Sequence, residues 1–148
     1  MSSPEAFWIP AGDATGRLVE MTREECLQAL EAKRIGRLGY PTADGPRIIP
    51  VNHVLTDDGI IFRTVPDGEV ARNALDATCA FEVDDVDEFF ESGWSVLAVG
   101  VAQLLTEADF QRLRFGKIPE PWVDGPRILF VKLPLLQLSG RQLLPHGR

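Results

Sequence analysis

The chain has 148 residues, of which 45% are hydrophobic and 25% charged, as expected of one ordinary globular domain with a core of its own. A formal net charge of -7 argues against DNA or RNA as a partner, although a local basic pocket can sit inside an acidic whole. The two cysteines, Cys26 and Cys79, form no Cys-x-x-Cys or Cys/His cluster, which argues against zinc and for buried thiols in a reducing compartment. No apolar run approaches the ~20 residues that a bilayer span needs. The N-terminus lacks a charged-then-apolar leader, so the expected setting is the cytoplasm, with no membrane partner.

Residues 1–20 show little periodicity and read as an irregular arm whose Phe7, Trp8 and Ile9 need a surface to pack on. Thr22-Arg-Glu-Glu25 is a capping box, with Met21 and Cys26 placed as a hydrophobic staple. A helix follows to about Lys33, with Leu27 and Leu30 inward. Strands are predicted over Ile35–Tyr40, Arg47–Leu55, Gly59–Thr64, Cys79–Val83, Trp94–Leu105 and Ile128–Leu138. Turn residues Pro41 to Pro46 join the first pair, and Asp57-Asp58-Gly59 is a hairpin signal joining the second. Short helices are predicted at Asp67–Leu75, capped by Asp67, and at Thr106–Leu113, capped from Thr106 towards Asp109. Closely spaced strands with few helices imply a barrel or sandwich, and residues 21–148 read as a single domain.

Several residues can carry chemistry. Arg63 and Thr64 end a strand just before a helix start, where a guanidinium, a hydroxyl and helix amides can hold a phosphate. The alternative is an exposed arginine on an edge strand. In Arg47 to Asn52, Pro50 cannot donate a ladder hydrogen bond, so backbone groups near it are free for a flat ligand or simply guard an edge. Trp94 and Ser95 open a strand, and Trp122 sits in a loop ending at Arg127; each tryptophan can cover an aromatic cofactor or fill core and interface. His53 alternates with Val51 and Leu55 and reads as a structural histidine, while His146 lies in a tail. The acidic run Asp84 to Glu91 lacks EF-hand spacing and reads as a solvated loop. There is no Gly-x-Ser-x-Gly, P-loop or Gly-x-Gly-x-x-Gly motif.

From Thr22 to Arg141 these pieces resemble the small pyridoxamine 5'-phosphate oxidase-like flavoproteins of the FMN-binding split-barrel superfamily. The resemblance rests on the capped helix, Arg47-Ile-Ile-Pro-Val-Asn-His53, Gly59-Ile-Ile-Phe-Arg-Thr64, Ala80-Phe-Glu-Val-Asp84, Gly93-Trp-Ser-Val-Leu-Ala-Val-Gly100 and Ser139-Gly-Arg141, in that order. It implies a mainly β fold with short helices, a six-stranded split barrel forming a homodimer, with a cofactor site at the subunit interface. It also implies cofactor contacts. Arg47, Ile49, Pro50, Val51 and Asn52 would lie along the flavin. Arg63 and Thr64 would meet the FMN phosphate, Ser95 would lie near the ring or ribityl chain, Trp122 would approach from the partner subunit, and Phe62 and Trp94 are further candidate cofactor-binding residues. Relatives place basic residues at the next helix start, where this chain has Gly68-Glu69-Val70, and a carboxylate there opposes a phosphate dianion unless Arg72, one turn on, compensates.

The resulting expectation is an FMN-dependent oxidoreductase or flavin reductase, passing hydride between a small-molecule substrate and flavin N5 near Trp94, Trp122, Arg127 or Arg141. A deazaflavin enzyme on the same fold, in a superfamily where some members bind haem, and a cofactor-free dimeric module with a decayed phosphate site are the alternatives. The apolar surface of Phe7, Trp8, Trp94 and Trp122 supports a homodimer independently of the resemblance.

Overall fold

The computed structural model describes residues 3–10, 12, 16–113 and 128–145. It opens with strand β1 (Arg17–Glu20), which forms part of the segment expected to be an irregular arm. Next comes α1 (Arg23–Ala32). Its start is the expected capping box: the Glu25 amide donates to the Thr22 hydroxyl at 3.2 Å, and the Thr22 amide donates to the Glu25 carboxylate at 3.0 Å. Strands β2 (Ile35–Thr42), β3 (Gly45–Thr56) and β4 (Gly59–Thr64) follow, then α2 (Glu69–Ala74), β5 (Thr78–Asp87) and β6 (Ser92–Val101). Strand β7 (Gln103–Leu104), α3 (Glu107–Leu113), β8 (Leu129–Leu133) and β9 (Gln137–Leu144) complete the described elements. The nine strands form one sheet in the order β1-β9-β6-β5-β2-β3-β4-β8-β7, every pairing antiparallel. The fold is mainly β with short helices, as the sequence led us to expect.

Two predicted strands each divide in two, for identifiable reasons. Trp94–Leu105 breaks at Ala102, whose amide and carbonyl pair with Ala77 and Asp76 after α2 instead of with a neighbouring strand. Ile128–Leu138 breaks at Pro134, which has no amide to donate. Strand β5 runs on to Asp87, so the acidic run expected as a loop is half strand, paired with β6 as far as Asp87 opposite Ser92. Asp67 does not cap α2. Gly68 is the N-cap residue with no side-chain bond, and Asp67 takes a left-handed backbone with φ 63°.

Alternation along the strands sorts side chains to two faces. Leu38, Tyr40, Phe81, Val83, Val96 and Ala98 point inward with Phe62, Ile60 and Leu133, and Cys26 and Leu30 of α1 close over them. Both cysteines are buried free thiols, and burial raises the pKa of each. On the other side of β4 and β8, α3 is fixed by its own capping box between Thr106 and Asp109. Asp109 is buried against Lys132 at 2.9 Å and is also bonded by Arg112; the Thr106 amide first, and then Lys132, hold its carboxyl far below the usual range. At the β3–β4 hairpin Gly59 has φ 118°, and a Cβ there would lie 2.3 Å from the Leu133 carbonyl oxygen. No helix among the described residues is long and apolar enough to cross a membrane.

His53 links α1 to the barrel. Its Nε2 lies 2.9 Å from the Leu30 carbonyl oxygen and so donates to it, its ring meets Phe81 edge-on at 4.8 Å, and its Nδ1 is buried with no partner. Burial lowers the imidazole pKa from 6.5, so the native state holds His53 neutral. A depressed histidine pKa contributes stability above the unfolded value and loses it as pH falls. Thermal melts from pH 7.5 to pH 5 will therefore fall less steeply in His53→Gln than in the parent chain. Gly59→Ala will cost about 1–3 kcal/mol in denaturant unfolding, because backbone rather than a flexible side chain blocks the methyl group.

Candidate functional site

The register places one set of the expected site residues in a single row on the outward face. Ser95 lies opposite both Arg141 of β9 and Asp84 of β5. Ile35 lies opposite Asn52, and continuing the β2–β5 ladder by two residues sets Ile35 beside Asp84. Continuing the β3–β4 ladder from His53 opposite Phe62 sets Asn52 beside Arg63, which is itself opposite Phe130. At about 4.8 Å per strand, Ser95 and Asn52 are about 14 Å apart along the sheet, with Arg63 one strand beyond. Pro50 lies on the same face, opposite Arg37, and Ile48 projects there 72% exposed.

Arg63 is half-buried. Its guanidinium stacks over the Phe130 ring at 5.1 Å, and its Nε is buried without a hydrogen-bond partner. A stacked guanidinium with an unspent N–H is oriented to receive an anion, and an orphaned buried donor is costly until one binds. A phosphate oxygen fits that donor.

The second set faces the other way. Arg47, Ile49 and Val51 lie opposite Tyr40, Leu38 and Gly36 on the inward face, and Ile49 and Val51 pack on the core. Phe62 is fully buried and Val70 nearly so, and Trp94 packs on the core with the Lys33 ammonium 5.9 Å from its ring centre. The structure therefore gathers Pro50, Asn52, Arg63 and Ser95 on one surface, but not the side chains of Ile49, Val51, Phe62, Val70 or Trp94. Thr64 follows Arg63 on β4 and so alternates away from it. Trp122, Arg127 and His146 lie outside the described residues.

Glu69 has partners inside the chain. The Tyr40 hydroxyl donates to its Oε1 at 2.7 Å, and Arg47 Nε stands 4.0 Å from the same oxygen. Both partners belong to the inward row at the end of β2 and β3, so the carboxylate is drawn towards that end and away from the row of Arg63. Arg72 does not compensate in the way considered above: it is exposed, and it donates to the Asp67 carbonyl at 3.0 Å.

Sequence reasoning assigned no chemistry to Glu82, Asp84 and Arg37. On the outward face Arg37 reaches Asp84 at 3.1 Å and Glu82 at 3.7 Å. Burial, and then the neighbouring Asp84 carboxylate, push Glu82 up to about 7, with Arg37 opposing. Its Oε1 is buried with no hydrogen-bond partner. The signal was present as alternation in Ala80-Phe-Glu-Val-Asp84, which puts both acids on one face, but the pairing with Arg37 needed the register. Elsewhere a groove of about 910 Å³ is lined by Leu27, Glu31, Leu55, Asp58, Arg112 and Leu135, among others. It contains none of the expected site residues. We place the site on the outward row because the orphaned Arg63 donor is there. Among the described residues no group of three or more His, Cys, Asp or Glu could hold a metal ion.

Comparison with known proteins decides the family, since the model of the pyridoxamine 5'-phosphate oxidase family matches residues 22–142. The chain belongs to that family. It is 34% identical over 136 residues to the Mycobacterium tuberculosis protein Rv0080, covering 88% of this chain and 89% of that one. The structure of the FAD binding protein from Mycobacterium smegmatis superposes with a TM-score of 0.73 at 28% identity, covering 84% of this chain and 98% of the other. An FAD-binding protein from Mesorhizobium loti gives a TM-score of 0.67 at 18% identity over 87% and 98% of the two chains, a likeness of fold. The antiparallel sheet with short helices is consistent with the split barrel of these family neighbours.

The placement of Glu69 makes a prediction. Glu69→Lys will change flavin affinity less than threefold in a fluorescence titration, since Tyr40 and Arg47 hold the native carboxylate at the inward row. A gain of tenfold or more would show that the side chain faces the phosphate.

Proposed function

We propose that the protein is a flavin-dependent oxidoreductase that binds its cofactor along the outward row, with the phosphate end on Arg63. The observation that carries this reading is the buried, unpartnered Arg63 Nε in a chain whose family binds flavin nucleotides. Arg63 is fixed by its stack on Phe130, so it offers a preorganised N–H to a phosphate oxygen without losing much side-chain freedom. Asn52 lies beside Arg63 in the same row, on the neighbouring strand. Pro50 leaves the strand without one backbone donor and presents a flat apolar surface to a ring. The bound flavin would supply the hydride chemistry. The chain's own part is to bind, orient and exclude water, which accords with the lack of a nucleophile or acid–base pair of familiar spacing.

FMN is the cofactor expected from the resemblance, and the relatives named as FAD-binding make FAD the closest competitor. Both carry the ring and the first phosphate that this row would hold. The outward face is also where we place the second subunit of a homodimer. Ile48, Ile35, Leu97, Leu18 and Leu143 are exposed there at 72, 42, 42, 60 and 37%, an apolar surface of the kind that marks an interface.

The purified protein should absorb near ~450 nm from its own flavin, and chromatography of the released cofactor will name it as FMN or FAD. Arg63→Gln should weaken flavin binding by about 10- to 100-fold, the loss of one charge-assisted hydrogen bond. A colourless protein that neither FMN nor FAD titrates would defeat the reading.

A further inference from the structure

Within the outward row at Asp84, and beside it at Glu82 and Arg37, lies a charged group to which the flavin reading assigns no role. Glu82 and Asp84 sit two residues apart on β5, both facing outward, with the Arg37 guanidinium serving both. Around them lie Leu97 on β6 and Pro50 on β3, with Ile35 on the same strand as Arg37 and Ile48 beyond. Further charged groups on this face are Arg141 of β9, opposite Glu20 of β1, and, at the far side, Arg63 of β4 and Lys132 of β8, the latter paired with Asp109 of α3. Strand β6 contributes Ser95, Leu97 and Val99, and β3 contributes Ile48, Pro50 and Asn52, none of them charged. The whole chain carries -7, so two copies repel except where acids and arginines offset each other. On this face they do: Arg37 stands against Asp84 and Glu82, and Arg141 against Glu20. An acidic or nucleic-acid partner has no excess of positive charge to meet. A second copy, presenting the same mixed and apolar surface about a two-fold axis, is the partner that fits.

We propose that Glu82, Asp84 and Arg37 form a proton-sensing patch at the centre of the surface on which two copies of this chain meet, tightening the pair when Glu82 is protonated and loosening it when Glu82 is ionised. This rests on the dimer reading above. With Glu82 protonated, the Arg37–Asp84 ion pair is balanced, and the carboxylic acid can donate to its neighbour. The group is then neutral and can leave water at small cost. With Glu82 ionised, one guanidinium faces two carboxylates, and closing the interface would bury an uncompensated charge. In the free subunit Glu82 already titrates at about 7, raised by burial and by Asp84. A partner surface removes more water, raising it further, so the closed pair binds protons more tightly than the open subunits. The sign follows: association is favoured below neutral pH and weakens as pH rises through 7.

The test is sedimentation equilibrium of the full chain at pH 6, 7 and 8, for the parent and for Glu82→Gln. The parent dissociation constant should rise about tenfold or more from pH 6 to pH 8, as linkage of a proton per subunit allows. Glu82→Gln, always neutral and nearly isosteric, should stay as tight as the parent at pH 6 with no slope. Asp84→Asn leaves an ionised Glu82 as the balancing charge for Arg37, so it should abolish or reverse the parent's slope, and it gives the answer should Glu82→Gln not fold by circular dichroism. A dimer of constant affinity across the range, or a slope that survives in Glu82→Gln, overturns the proton patch and leaves the dimer standing. A monomer at every pH at micromolar concentration overturns the dimer itself.

Discussion

The ladder between β2 and β3, from Ile35 opposite Asn52 to Thr42 opposite Gly45, fixes which side chains reach the core and which face outward. A slip of one residue would exchange the two sets, sending Ile49 and Val51 to solvent and Pro50 and Asn52 inside. The slip is opposed from both sides. Leu38, Phe81 and Phe62 have no exposed surface, and His53 is tied to α1 through the Leu30 carbonyl. The outward row of Ser95, Asn52 and Arg63 is thus a by-product of core packing, which makes it rigid before any ligand arrives. Rigidity is what a binding surface needs if affinity is not to be spent on ordering it.

Electrostatics then distinguish positions along that surface. Arg63 is held against an aromatic face with a donor unspent, whereas Arg37, Arg47 and Arg72 are each engaged with a carboxylate or carbonyl of the chain. Glu69, which in sequence stands where a phosphate would meet repulsion, is pulled to the inward row by Tyr40 and Arg47. The conflict between an acidic helix start and an anionic cofactor is therefore eased by geometry, without an added basic residue.

Much of the fold could be read from local chemistry. The Thr22–Glu25 and Thr106–Asp109 capping boxes, the Asp57-Asp58-Gly59 turn and the strand alternation all have causes within a few residues. What could not be read depends on distant neighbours. The division at Ala102 needs its pairing with Ala77 and Asp76, and the pairing of β1 with β9 joins opposite ends of the chain. Within the site, Arg47 and Arg63 look alike in sequence, and only the register shows one facing Tyr40 and the other Phe130. For Trp94 the sequence left cofactor cover and core packing both open, and the alternation with Ser95 sets its side chain against the core. In the Glu82–Asp84–Arg37 group the alternation along β5 shows the two acids on one face, but their pairing with Arg37 depends on the β2–β5 register.

The central claim is that a flavin nucleotide binds the outward row at Arg63. Amide chemical-shift mapping of isotope-labelled, flavin-stripped protein during an FMN or FAD titration tests it most directly. The account predicts the largest shifts at Asn52, Arg63 and Phe130. Shifts concentrated instead at Leu27, Glu31 and Asp58, with Asn52 and Arg63 unmoved, would place the ligand in the groove beside α1 and contradict it.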